Sequence, residues 1–242
     1  MPYRREKFAN AEIYHIVIRG IDDNLLFKNI DDHYRGIFSI YEFNTTKPVN
    51  IRERRIIRLQ IKKLQKQKAG KSLIVTDNRD KLVEILAFCF MPNHVHLLLR
   101  QLKDGGITKF MKKVGAGYGG YFNRKYHRRG YVFQDRFHAV RIKTDAQLLA
   151  VFNYIHTNPL SLTETKWKEG VIKNIKKSSK FLFAYKWSSY RDYIGQVNFP
   201  SITERGFLLE TLGGENSCQK SVEDWVKNKK WVKGIDNSLF LE

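Results

Sequence analysis

A chain of 242 residues, 42% hydrophobic and 13% aromatic, is long enough to bury a substantial core and too apolar to remain disordered. Its 44 Lys+Arg against 24 Asp+Glu leave a net charge of +20; such an excess opposes compaction and points to a polyanionic partner, nucleic acid above all. No apolar run is long enough to span a bilayer and no apolar segment follows the charges of residues 1–7, so the expectation is no membrane partner, no secretory leader and a cytoplasmic location. The two cysteines, Cys89 and Cys218, imply no disulfide framework, and Cys89 reads as a small buried hydrophobe. The charge is uneven. Residues 51–71 hold nine bases and one acid, residues 100–143 twelve and two, and residues 201–242 six and seven.

In chain order, Tyr14 to Arg19 alternates weakly and stops at Gly20, which reads as a first strand. Residues 31–43 place Tyr34, Ile37, Phe38 and Tyr41 at helical spacing. A very basic helix is expected over 51–68, with Ile57, Ile61 and Leu64 in register and Gly70 closing it. Leu82 to Phe90 is a continuous apolar strand, and Pro92-Asn93 turns it into the next one as an antiparallel hairpin. A long helix follows from about Ile107, although Gly115, Gly117, Gly119 and Gly120 weaken it unless a neighbour comes close there. Arg136 to Lys143 reads as a strand, and Thr144, with Gln147 three residues on, starts a helix that ends at Pro159. The order gives an α+β fold: a ferredoxin-like βαββαβ antiparallel sheet with helices on one face, a trailing helix and a C-terminal helical appendage. The expected division is a catalytic domain at 1–165, with a basic helical insertion at about 48–80, and an appendage at 166–242 that has a helical end around Val222 to Val232.

The strand His94-Val95-His96-Leu97-Leu98-Leu99 sends His94, His96 and Leu98 to one face and Val95, Leu97 and Leu99 to the other. With the helices packed on the valine–leucine side, the histidines are expected on an open sheet face. Two imidazoles on one side of a strand read as half of a metal site. The other half is sought in the helix 145–158, where Leu148, Val151, Phe152 and Ile155 form the apolar stripe. At 100° per residue Tyr154 and Asn158 lie about 40° apart, whereas His156 lies near the opposite side. Asn158 is therefore the preferred third ligand, with His156, chemically the better donor, as the alternative. A tyrosine beside such a site suggests phosphoryl transfer by covalent catalysis, the phenol attacking a phosphate polarised by the metal.

Met91-Pro92-Asn93-His94-Val95-His96-Leu97-Leu98, followed by Tyr154-Ile155-His156-Thr157-Asn158-Pro159, resembles the single-tyrosine HUH transposases, and within them the REP-associated tyrosine transposases. Tyr14-His15-Ile16, Arg19-Gly20, Tyr121-Phe122-Asn123, Phe133-Gln134-Asp135-Arg136-Phe137 and Trp187-Ser188-Ser189-Tyr190 extend the resemblance over about residues 10–195. It implies a metal on His94 and His96, a third ligand at Asn158, and Tyr154 as nucleophile. It also implies cleavage of single-stranded DNA near an imperfect hairpin, leaving a 5′-phosphotyrosine and a free 3′-OH. Two imidazoles would accept Mn²⁺ or Zn²⁺ readily; the resemblance implies Mg²⁺ or Mn²⁺. The basic stretch 51–80 looks longer than the family pattern, and a glycine-rich turn at 115–120 is expected in place of a more regular helix.

The competing readings are a replication initiator or relaxase of the same chemistry, and a non-catalytic nucleic-acid-binding module. A small-phosphoester hydrolase is disfavoured because no carboxylate neighbours the histidines in sequence. The expected contacts to single-stranded or hairpin DNA are Arg100, Lys103, Lys112, Lys113, Arg124, Arg128, Arg129 and Arg136, with the protein a monomer or homodimer. Tyr118 and Tyr121 are expected in the core rather than against bases.

Overall fold

Four strands pair in the order β2-β3-β1-β4, every neighbour antiparallel: β1 (Ile13–Arg19), β2 (Val83–Phe90), β3 (His94–Gln101) and β4 (His138–Ile142). The connections carry α1 (Ile30–Glu42), α2 (Ile51–Gln67) and α3 (Gly106–Lys125), and α4 (Asp145–Thr157) trails β4. After α4 come α5 (Ile175–Ala184), α6 (Tyr190–Tyr193), α7 (Arg205–Leu212) and α8 (Glu215–Lys227). This computed structural model describes residues 7–67, 77–169, 171–227 and 237–241. Gly70 and the parts of the expected basic stretch and C-terminal helix that fall at 68–76 and 228–232 lie outside the described residues. The α+β, ferredoxin-like topology expected from the sequence is the one observed: β1 and β3 sit centrally, the arrangement of a split βαβ.

Local chemistry sets the boundaries. Asn29 caps α1, accepting from the backbone of Asp31 and Asp32, while the Asp32 side chain returns to the Asn29 N–H. Asp32 is buried and also accepts from Tyr121 (2.9 Å), Tyr126 (2.6 Å) and Lys125 (2.7 Å), which ties α1 to α3. Thr144 caps α4 through the Gln147 N–H. Gly117 is required in α3 because a Cβ there would stand 2.1 Å from the Phe43 ring at the end of α1. Of the four glycines only Gly117 has such a close neighbour, and the turn expected at 115–120 is corrected: α3 runs through it unbroken. Tyr118 and Tyr121 are in or against the core, as expected, their hydroxyls on Leu26 O and Asp32.

The sheet divides two cores. Tyr14, Ile16 and Ile18 of β1 and Val95, Leu97 and Leu99 of β3 pack with α1 and α3. On the opposite face Leu98 of β3 and Ile142 of β4 pack with α4 and with Tyr193, Leu208, Val222, Trp225 and Leu239 from the C-terminal part. The expectation of an open histidine face is therefore corrected: residues after 159 close it. For the same reason α4 is buried all round from Ala150 to Thr157 rather than along one stripe. Helix α2 is the contrast. It stands on the surface with Arg54 and Arg58 on Glu42 (3.4 and 3.0 Å) and Ile56, Ile57 and Leu59 exposed. Both cysteines are free and buried. Among the described residues no helix is long and apolar enough to cross a membrane.

Candidate active site

Register assembles the site. In the β1–β3 ladder Arg19 stands opposite His94, Val17 opposite His96 and His15 opposite Leu98, so odd positions of β1 share a face with even positions of β3. His15 thereby joins the two predicted histidines, a participant whose role the sequence did not reveal. The rings of His94 and His96 are 4.8 Å apart and nearly perpendicular, and those of His96 and His15 are 5.3 Å apart and stacked.

Hydrogen bonds fix the tautomer of each ring. His15 Nδ1 lies 2.7 Å from the Leu239 carbonyl oxygen. A carbonyl only accepts, so Nδ1 carries the proton and His15 Nε2 keeps its lone pair. That lone pair faces His96 Nδ1 at 3.1 Å, so His96 is protonated at Nδ1 and its Nε2 holds a lone pair. His94 Nδ1 faces Asn93 Oδ1 at 2.7 Å, an orientation matched by the Asn93 amide donating to Asp23 at 3.5 Å. His94 Nε2 therefore holds a lone pair as well. Burial pushes the His15 pKa down to about 4, against the raising effect of Leu239 O, so the ring is neutral near pH 7 and able to accept. Two neighbouring Nε2 lone pairs, each set by an outer partner on Nδ1, are the donor set a divalent ion takes. The metal implied by the motif fits these two residues. Among the described residues no cluster of three or more His, Cys, Asp or Glu side chains forms a cation site, so further ligands would have to be of another kind.

Tyr154 comes to the same place. Its ring stands edge-on to His96 at 5.5 Å and to His15 at 5.9 Å. It is 4% exposed, because Phe240 lies against it at 4.9 Å and its hydroxyl donates to Leu241 O at 3.2 Å. Asn158 lies one turn further on, buried at the end of α4, with its backbone N–H on Tyr154 O. His156 points elsewhere. Its Nε2 is 2.8 Å from Ser189 Oγ, its ring packs on Phe152 and Tyr193, and burial pushes its pKa down to about 3. The alternative third ligand is thus engaged away from the histidine pair.

The predicted nucleic-acid contacts scatter. Arg136 lines a cleft on the histidine face with Arg19, Asp23, Gln134 and His138. Lys112, Lys113, Arg124, Arg128 and Arg129 belong to α3 or its end, across the sheet from the histidines. Lys113 donates to Thr45 O and Lys47 O, Arg128 lies over Phe122, Arg100 is paired with Glu84 and Lys103 with Asp80. Lys112, Arg124 and Arg129 are exposed.

Fold and site together define an α+β protein with a tautomer-fixed histidine pair and a tyrosine on one face of a ferredoxin-like sheet. Residues 51–158 match the family of IS200-like transposases, so the resemblance read from the motifs holds over the stretch that contains His94, His96, Tyr154 and Asn158. Solved structures similar to the chain include a REP-associated tyrosine transposase bound to a REP hairpin. It is 14% identical, with 85% of this chain and 96% of that one covered and a TM-score of 0.42. Another is the tRNA(His) guanylyltransferase of Saccharomyces cerevisiae, 12% identical over 76% of each chain with a TM-score of 0.29. Both likenesses are distant. No curated protein matches.

Proposed function

We propose that the protein is a metal-dependent, single-tyrosine nuclease and strand transferase of the transposase type, acting on single-stranded DNA near hairpins. The observation that carries the reading is the proximity of the His94 and His96 rings, 4.8 Å apart and each engaged at Nδ1, with the Tyr154 ring 5.5 Å from His96. His94 and His96, with Asn158 as third ligand, would hold Mg²⁺ or Mn²⁺, which would polarise the scissile phosphate. The Tyr154 oxygen bonds to phosphorus, the P–O3′ bond breaks, and the phenol proton passes in net to the departing 3′-oxygen. The product is a 5′-phosphotyrosine and a 3′-OH, and the conserved bond energy permits rejoining without ATP. The net charge of +20 supports a polyanionic substrate and disfavours a small phosphoester. Residues 1–165 hold every proposed catalytic group; from the C-terminal part Tyr193, Leu208, Val222, Trp225 and Leu239 pack on the histidine face. Because Phe240 and Leu241 cover Tyr154, admission of a phosphate requires them to move aside.

The test is incubation with hairpin-bearing single-stranded DNA and Mn²⁺, followed by denaturing electrophoresis. A covalent adduct that Tyr154→Phe abolishes supports the reading. Tight binding without an adduct across several hairpins favours a non-catalytic binding module instead.

A further inference from the structure

The β1–β4 end of the histidine face holds a second polar feature. A cleft of about 260 Å³ is lined by Arg19, Asp23, Gln134, Arg136 and His138. Since a water takes about 30 Å³, the space admits a phosphate group with its hydration. The backbone builds this cleft firmly: Gly20 bridges to Phe133, Gln134 N–H donates to Arg19 O (2.9 Å), and Gly20 N–H donates to Asn93 O (2.8 Å). His138 stands opposite Val17 and Arg19 opposite His94, so the cleft begins where the histidine pair ends. Directly opposed residues have Cβ atoms only about 4.5–5.5 Å apart.

The lining is two guanidiniums, an imidazole and an amide against one carboxylate. That carboxylate is itself informative. Asp23 Oδ1 sits 2.7 Å from Arg19 Nη1, and it is brought there by two successive left-handed residues, Asp22 (φ 51°) and Asp23 (φ 54°). Side chains other than glycine visit that region sparingly, although Asp tolerates it better than most. A carboxylate oxygen held on one guanidinium nitrogen occupies a position an anion would take, since guanidinium pairs with carboxylate and phosphate alike.

We infer that Arg19, Gln134, Arg136 and His138 form a subsite for one backbone phosphodiester of single-stranded DNA, next along the strand to the phosphate at the histidine pair, with Asp23 as its internal competitor. The placement beside a scissile phosphate rests on the function proposed above; the anion chemistry does not. The subsite aligns the strand, and its guanidiniums act as positioning groups.

The experiment uses the full chain carrying Tyr154→Phe, in EDTA, binding a fluorescent single-stranded oligonucleotide whose cleavage position has been mapped with the wild-type protein and Mn²⁺. Arg19→Gln and Arg136→Gln are each expected to weaken binding on the order of 3- to 10-fold and to flatten the log K–log salt slope by about 0.7, the value for one single-strand phosphate. Asp23→Asn is expected to tighten binding by about 2- to 3-fold, the opposite sign from a merely structural loss. Single methylphosphonate linkages, which remove one backbone charge at a time, then locate the contact. One linkage beside the cleavage position should weaken binding to the protein with Arg136 intact and cost nothing further in Arg136→Gln. Unchanged binding in both arginine variants, or fully additive losses at every linkage, overturns the subsite. If no hairpin-bearing oligonucleotide gives an adduct with the wild-type protein, arginine effects that persist on such a strand refute strand transfer and leave the anion site standing.

Discussion

Replacing His15 by phenylalanine probes the innermost link of the site. His15 accepts from His96 Nδ1 and donates to Leu239 O, both bonds buried. Phenylalanine keeps a ring of similar shape and removes both functions. His96 is then left with a buried N–H lacking its acceptor, a loss of roughly 1–3 kcal/mol. The ring can escape it only by moving the proton to Nε2, which destroys the lone pair offered to the metal. Either outcome should weaken the proposed metal site, since loss of such an outer partner typically lowers affinity about 10- to 100-fold, or about 1.4–2.8 kcal/mol at 1.4 kcal/mol per tenfold. The assay is Mn²⁺ titration followed by electron paramagnetic resonance of the free ion, with thermal unfolding of the metal-free protein as the control for folding. Long-range proton–nitrogen NMR of the metal-free wild type should show His15, His94 and His96 all protonated at Nδ1. Affinity within twofold of wild type in a folded His15→Phe protein, or His96 protonated at Nε2, would refute the hydrogen-bond chain.

Tyr154→Phe is expected to abolish the covalent DNA adduct while leaving hairpin binding, read by fluorescence anisotropy, within about twofold; loss of the Leu241 bond should lower stability by only about 0.5–1.5 kcal/mol. Leu239→Ala, at the buried anchor of the segment that covers the site, should cost about 2–5 kcal/mol and raise the reactivity of Tyr154 toward tetranitromethane, followed by peptide mass analysis. Gly117→Ala forces a Cβ against Phe43 and should destabilise by about 1–3 kcal/mol, a loss that a second change, Phe43→Ala, should not add to in full. Burial opposes ionisation of Asp32, but Lys125, Tyr126, Tyr121 and the Lys28 N–H together hold its carboxyl below the usual carboxylate range. A depressed folded pKa means stability that is complete above the unfolded value of about 3.9 and lost as pH falls through the folded one. Urea midpoints of Asp32→Asn should therefore decline less steeply below about pH 4 than those of wild type.

Much of this molecule could be read from local pattern. The alternation in His94–Leu99 put both imidazoles on one side because strand parity depends on nothing remote, and Thr144 with Gln147 marked the start of α4 through capping alone. The Arg136–Lys143 strand was overestimated, β4 being His138–Ile142, since ends depend on neighbours. What could not be read depended on pairing between distant segments. His15 has the right parity in β1, but only the β1–β3 register sets its Nε2 against His96. Burial of Tyr154 escaped notice because its cover comes from Phe240 and Leu241, in a part of the chain with no periodic signal pointing back to α4. Counting bases could not separate Lys113, which closes the carbonyls of Thr45 and Lys47, from Arg136 in the cleft beside the histidines.

The bond from His15 to Leu239 spans 224 positions of the sequence. Translation adds about 5–20 residues per second, so β1 is made many seconds before the carbonyl that orients its histidine. Until that carbonyl emerges from the ribosome, the acceptor for the Nδ1 proton of His15 is missing, and with it the outer end of the His15–His96 hydrogen-bond chain. A partly synthesised copy can thus hold most of the sheet while the His15–His96 link still lacks the carbonyl that orients it.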